Sequence, residues 1–277
     1  MTTIPTVSLS SGGTMPALGL GTSGLQGPEG AAIVSQALAD GYRLIDTAAQ
    51  YNNETAVGAG LRDSGVARDE VVITSKVAGG SQGREATRTG VNESLRRLGV
   101  DYVDLMLIHW PNPSRGLATE TWKTLLDIQS EGLVRTVGVS NFRPEQLAGL
   151  HQATGVWPAV NQIQLSPALA RRDAVAFNAE HGIVTEAWGP LGTREGLLDQ
   201  FVLRKIAAKH CTTPATVALH WGILQGYVVI PKSKNADRLR QNLSVTDIEL
   251  DSEDLSAIAT LDLGEDAAWD ARTHEEW

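Results

Sequence analysis

Residues 103–111 read Val-Asp-Leu-Met-Leu-Ile-His-Trp-Pro. Val103–Ile108 is nearly all apolar and stops abruptly at the polar His109. A continuous apolar run of this length, without alternation, predicts a parallel strand covered on both faces. Working outward, the same unit recurs along the chain: a short apolar run, a polar loop, a segment with helical apolar spacing, then Gly. The other runs are Gly19–Thr22, Arg43–Ile45, Val71–Ile73, Val134–Val139, Ala159–Leu165, Ile183–Trp188 and Val228–Ile230.

The segments between them carry helix punctuation. Pro28 stands near one start, the pairs Ile33/Ala37 and Val34/Leu38 repeat at i,i+4, and Gly41 closes the helix. Val91, Leu95 and Leu98 precede Gly99; Trp122, Leu125 and Leu126 precede Gly132; Pro144 opens a helix that Gly155 closes; His181-Gly182 ends another. Two further helices are predicted at about 202–210 and 214–225, before the last strand. Eight β/α units in 277 residues match an α/β fold of the (β/α)8 TIM-barrel type. A doubly wound sheet is the competitor. The repeat is regular and no Pro/Gly/Ser-rich linker divides it, so residues 1–277 are expected to form one barrel domain. Thr6–Leu9, Ser11-Gly12-Gly13 and Thr14–Leu18 predict an N-terminal hairpin. The acidic, irregular stretch from about Asp262 predicts a C-terminal tail over the active-site face.

Composition narrows the partners. The 23 Lys and Arg are outnumbered by 32 Asp and Glu, a net charge of −9, which argues against nucleic acid or an anionic membrane as partner. The single cysteine, Cys211, excludes an intrachain disulfide and a Cys-rich metal site. There is no H-x-H or H-E-x-x-H, and His151, His181, His210, His220 and His274 are scattered, so no metal is expected. The N-terminal residues lack a basic stretch followed by an apolar core, and no apolar run approaches a bilayer span, so a cytoplasmic location is expected. No protein partner is implied, and a monomer is the default expectation. Seven Trp against three Phe and four Tyr is unusual spending on one aromatic.

In a barrel, chemistry belongs at the carboxyl ends of the strands. Those ends carry Asp46, Lys76, His109, Ser140-Asn141, Gln162, Trp188 and Lys232-Ser233, with Tyr51 five residues beyond Asp46. A buried charge is costly unless paired, so Asp46 and Lys76 are expected to neutralise one another. A nearby ammonium favours the phenolate, so Lys76 is expected to lower the pKa of Tyr51 and make it a usable general acid. His109 would hydrogen-bond the reacting oxygen.

These residues resemble a known family. Asp46-Thr47-Ala48 with Tyr51 and Asn53-Glu54, Thr74-Ser75-Lys76, Leu107-Ile108-His109-Trp110-Pro111, Gly138-Val139-Ser140-Asn141-Phe142, Asn161-Gln162 and Ile230-Pro231-Lys232-Ser233 are similar to the aldo-keto reductases, in the family's order. The resemblance runs from Gly19-Leu20-Gly21-Thr22 to about Leu261. Glu186-Ala187-Trp188-Gly189-Pro190-Leu191-Gly192 is similar to the bacterial branch that includes 2,5-diketo-D-gluconate reductases. It implies an NADPH-dependent oxidoreductase that reduces aldehydes or ketones, among them keto-sugars, dicarbonyls or aromatic aldehydes. Asp46, Tyr51, Lys76 and His109 would be its catalytic tetrad, with Tyr51 protonating the carbonyl oxygen. The resemblance also implies that Ser140, Asn141 and Gln162 hold the carboxamide and that Trp188 stacks on the nicotinamide, with Thr22, Gly189, Leu191 and Gly192 beside the cofactor. Trp110 would line the substrate pocket.

Lys232, Lys234, Arg238 and Arg240 cluster within residues 232–240, on a loop leading into a helix. Side-chain charge and helix N-terminal amides suit a phosphate. The resemblance assigns Lys232, Ser233 and Arg238, with Lys234 alongside, to the 2′-phosphate of NADPH, and Asn242 to the adenine. Gln241 stands where many members have Glu. Ser23, and a loop after Lys76 without Trp, depart from the family pattern and predict a wider or wetter pocket on that side.

Gly19-Leu20-Gly21-Thr22-Ser23-Gly24 also satisfies G-x-G-x-x-G, but Gly27-Pro28 keeps a helix from starting at the third Gly, as the dinucleotide fingerprint requires. No G-x-S-x-G elbow is present. The runner-up reading is a non-catalytic, NADPH-binding regulatory subunit on the same barrel; an unrelated barrel enzyme such as an isomerase is a third.

Overall fold

The apolar runs pair as neighbours in chain order. The computed structural model describes residues 4–192 and 196–276. Strands β1 (Thr6–Ser8) and β2 (Thr14–Pro16) form the predicted antiparallel hairpin. The parallel sheet follows as β3 (Leu20–Gly21), β4 (Leu44–Asp46), β5 (Val72–Val77) and β6 (Val103–Ile108). It continues through β7 (Val134–Ser140), β8 (Val160–Gln164), β9 (Val184–Trp188) and β10 (Val228–Val229), in unbroken sequential order. The seam closes where Gly19 N–H donates to the Val229 carbonyl at 2.9 Å, Val229 N–H to Ala17 at 2.8 Å and Gly21 N–H to Pro231 at 3.1 Å. A closed barrel results, and the doubly wound alternative is excluded.

The seam also explains the G-x-G decoy. A Cβ on Gly21 would lie 2.8 Å from the Ile230 carbonyl oxygen, so the bare Cα serves strand closure. The next helix, α1 (Gly27–Asp40), begins only after Gly24 and ends at Gly41. α3 (Arg84–Leu98), α4 (Ala118–Ser130), α5 (Pro144–Thr154) and α6 (Arg172–Glu180) follow the expected positions. So do α7 (Phe201–Lys209) and α8 (Pro214–Leu224). α2 (Glu54–Ser64) has no counterpart among the helices marked by apolar spacing, because its buried face is mostly small: Ala56, Val57, Gly58, Gly60 and Leu61. α9 (Ala236–Leu243) is the helix expected beyond the basic loop, and α10 (Ser252–Ala259) is an addition whose apolar signal is short.

Two apolar layers hold the fold. Between strands and helices pack residues such as Ile73, Met106, Val137 and Val139 against Leu38, Leu98, Trp122 and Leu150. Inside the barrel, Leu44, Leu105, Leu107, Val160 and Val228 meet Met15 of the hairpin, which caps the end where the strands begin. This plug leaves the opposite, carboxyl end as the open one. No helix among the described residues is long and apolar enough to cross a membrane.

Candidate active site

Strand register brings the polar strand ends together. Asp46 pairs across from Gly21 and Thr74, Lys76 from Leu107, and Gln162 from both Ser140 and Glu186. At the floor, Lys76 Nζ donates to Asp46 Oδ1 at 2.6 Å and Oδ2 at 2.8 Å, and to the Thr47 carbonyl at 2.9 Å. It also reaches the Tyr51 phenol oxygen at 3.4 Å. Asp46 and Lys76 are 1% and 0% exposed, so the pair neutralises itself as the sequence argument required. Burial pulls the Lys76 pKa down, but the facing Asp46 and Tyr51 more than offset this and keep the ammonium charged.

Tyr51 differs from expectation in one respect. Burial raises its pKa, Lys76 lowers it and Asp46 raises it; burial is the largest of these, and the net shift is upward rather than downward. The resting phenol is therefore neutral. Its oxygen accepts from Lys76, so its own O–H proton remains to be aimed elsewhere. The His109 ring stands edge-on to Tyr51, with centroids 5.6 Å apart. Burial first, and Lys76 in addition, lower the His109 pKa against the opposing pull of Glu276, which keeps the imidazole neutral.

Gln162 extends the network. Its Nε2 donates to Asp46 Oδ2 and to Glu186 Oε2, both at 2.8 Å. Glu186 is fully buried, and burial, then Asp46, push its carboxyl up to about 8. Among the candidate residues drawn from the sequence, Glu186 is missing. The available signal was an acidic residue inside the apolar run Ile183–Trp188, two positions before Trp188 and so on the same strand face. Ser140 Oγ donates to the Gln162 carbonyl at 2.9 Å, and Asn141 Nδ2 to the His109 carbonyl at 3.0 Å. Trp188 Nε1 donates to Asn141 Oδ1 at 2.8 Å, which fixes the indole at the rim.

A cleft of about 550 Å³ opens above this floor. Of the candidate residues, Thr22, Asp46, Tyr51, His109, Trp110, Ser140, Asn141, Gln162, Trp188, Gly189, Leu191, Gly192 and Lys232 line it, as does Ser23. Lys76 lies directly behind Asp46. The C-terminal tail does cross this face: Trp269 N–H donates to Gln164 Oε1 at 3.0 Å, and the Trp269 ring stacks on Trp110 at 6.2 Å and meets Trp188 edge-on at 5.9 Å. His274 packs 4.2 Å from the Trp110 ring. Three of the seven Trp, Trp110, Trp188 and Trp269, thus stand at the mouth; Trp277 lies outside the described residues. Glu276 also lines the cleft, and no local pattern in the sequence marked it.

Beyond the cleft wall, Ser233 N-terminal to α9 forms a tight turn, accepting from Asn235 N–H at 3.0 Å. Lys234, Arg238 and Gln241 are exposed on the same loop and helix. Asn242 is buried and hydrogen-bonds the Tyr42 phenol. Arg240 turns away, paired with Asp40 at 3.3 Å and Asp237 at 3.1 Å. Lys232, Lys234 and Arg238 form no ion pair among the described residues, a donor set suited to a phosphorylated ligand reaching from the cleft.

The chain belongs to the aldo/keto reductase family, which its residues 13–263 match. It is 44% identical over the whole of both chains to 2,5-diketo-D-gluconic acid reductase B of Corynebacterium sp.. It is 43% identical to methylglyoxal reductase DkgA of Salmonella typhimurium, covering 93% of this chain and 94% of that one. The crystal structure of a Gox0644 variant in complex with NADPH superposes with a TM-score of 0.93 at 39% identity, over 99% of this chain and all of the other. The protein is accordingly an NADPH-dependent oxidoreductase that reduces carbonyl groups.

Proposed function

We propose that the protein reduces small aldehydes and ketones, with keto-sugars, dicarbonyls and aromatic aldehydes as the candidate substrates, and that Tyr51 is the proton donor. NADPH, when bound, supplies the hydride. The observation that carries the reading is Lys76 Nζ bridging the Asp46 carboxylate and the Tyr51 oxygen at the cleft floor. Held there, the phenol offers its O–H to a carbonyl oxygen as negative charge develops on it. The fixed ammonium stabilises the tyrosinate left behind, so the proton moves without solvent reorganisation. Neutral His109 supplies a hydrogen bond that orients the same oxygen.

Trp188, tied to Asn141, presents a rigid aromatic plane for the nicotinamide, and holding one face of a ring directs the other at substrate. Ser140, Asn141 and Gln162, which line the cleft, would hold its carboxamide, and Thr22, Gly189, Leu191 and Gly192 would lie beside the cofactor. Lys232, Ser233 and Arg238, with Lys234, would take the 2′-phosphate, and Gln241 and Asn242 the adenine side. The test is Tyr51→Phe, which keeps the ring and removes the hydroxyl that would donate the proton. Turnover of a simple aldehyde with NADPH should fall by about 100-fold or more, while tryptophan fluorescence still reports NADPH binding. Near wild-type turnover would overturn the assignment.

A further inference from the structure

The tail does more than cover the mouth. Asn112 clamps the Glu276 backbone with both ends of its amide: Nδ2 donates to the Glu276 carbonyl at 2.7 Å, and Oδ1 accepts from its N–H at 3.1 Å. Ser114 N–H holds the Glu275 carboxylate at 2.8 Å. Gly79 lies beneath, where any Cβ would run into the Glu276 carbonyl. With its backbone seated this way, Glu276 sends its side chain inward, among Tyr51, His109 and Trp110.

Glu276 Oε1 lies 2.9 Å from Nδ1 of the neutral His109 ring, without hydrogen-bond alignment, and Oε2 is buried with no hydrogen-bond partner. No Lys or Arg among the described residues pairs with this carboxylate. Lys76 cannot compensate it, being already held by Asp46. The substrate end of the cleft therefore contains a carboxylate with no countercharge among the described residues. An anionic group brought alongside would meet like-charge repulsion in a poorly screened space.

Resting on the reductase reading above, we propose that Glu276 is a specificity-determining residue that selects the substrate by charge. Its carboxylate rejects carbonyl compounds bearing a carboxylate and admits uncharged ones. The preferred class is then uncharged aldehydes and ketones rather than keto acids. This separates the chain from the relative named for diketogluconic acid.

The test compares 4-nitrobenzaldehyde with 4-carboxybenzaldehyde, whose para groups match in shape and differ in charge, using the full chain with saturating NADPH near neutral pH. The readout is the ratio of kcat/KM for the carboxy aldehyde to that for the nitro aldehyde. Glu276→Gln should raise this ratio by about tenfold or more, since both substrates share every other feature of the site. Asn112→Gly, which removes the clamp and leaves the carboxylate intact, should raise it by a smaller factor. An unchanged ratio in Glu276→Gln, with both substrates turned over, would overturn the charge selection alone. No NADPH oxidation with either aldehyde, in the wild type, would overturn the reductase reading and this inference with it.

Discussion

The two ends of the cleft handle charge in opposite ways. At the floor, Asp46 and Lys76 are buried and hold one another, with Thr47, Tyr51 and Gln162 completing their hydrogen bonds. At the far end, Lys232, Lys234 and Arg238 stand exposed and form no ion pair among the described residues, although Arg240 on the same helix is tied to Asp40 and Asp237. A charge removed from water must be compensated by the protein itself, because nothing else can reach it. A charge left in water costs little to hold unpaired, and it stays available for a ligand that brings the opposite sign. Substitutions at the floor should thus disturb folding and chemistry together, whereas substitutions at the far end should disturb binding alone.

Lys76→Met is the strongest test of that contrast. It leaves Asp46 buried beside an apolar chain and removes the donor on Tyr51. Stability should drop by about 3–5 kcal/mol, and turnover should fall along with it. An unchanged Tm with lost turnover would show that the pair serves chemistry only. At the other end, Lys232→Ala/Arg238→Ala should leave the Tm unaltered. Affinity for NADPH should weaken by about 10- to 100-fold, the scale of one or two lost charge-assisted hydrogen bonds. NADH, which lacks the 2′-phosphate, should be affected far less. Equal losses for the two cofactors in binding titrations would break the assignment.

Glu186 gives the smallest effect and sharpens the comparison at the floor. Burial, then Asp46, hold its carboxyl proton up to about pH 8, while in the unfolded chain it is lost near the ordinary carboxylate value. Between those limits the unfolded state binds fewer protons, so this group's contribution to stability declines as pH rises towards 8. Glu186→Gln removes that decline. The variant should gain on the wild type with rising pH, reaching about 1 kcal/mol or more, roughly 2–4 °C in Tm, near pH 8. Parallel Tm curves between about pH 5 and pH 9 would show that Glu186 does not titrate there.

Much of the molecule is legible from local patterns. The run 103–108 and its seven counterparts announce a two-sided parallel sheet because a buried strand has no polar face to show. Polar residues at the strand ends announce the site, because an apolar run must stop where the barrel opens. The basic residues Lys232, Lys234 and Arg238 stand out against the acidic total for a similar reason: they lie close together in sequence. Helix α2 was hidden, since small residues such as Ala56 and Gly58 pack a helix closely without giving the periodic large-apolar signal.

By itself, then, the sequence determined the eight-fold alternation, the placing of Asp46, Lys76 and His109 at strand ends with Tyr51 close by, and the basic cluster. Each is written either in local spacing or in a short motif. The tertiary structure alone decided that burial outweighs Lys76 in setting the Tyr51 pKa, that Arg240 is taken by Asp40, and that Glu186 stands beside Gln162. It also brought Glu276 to His109, across 167 positions of sequence (276 − 109). These outcomes depend on how much water is excluded and on which distant segments dock, and no periodicity along the chain encodes either.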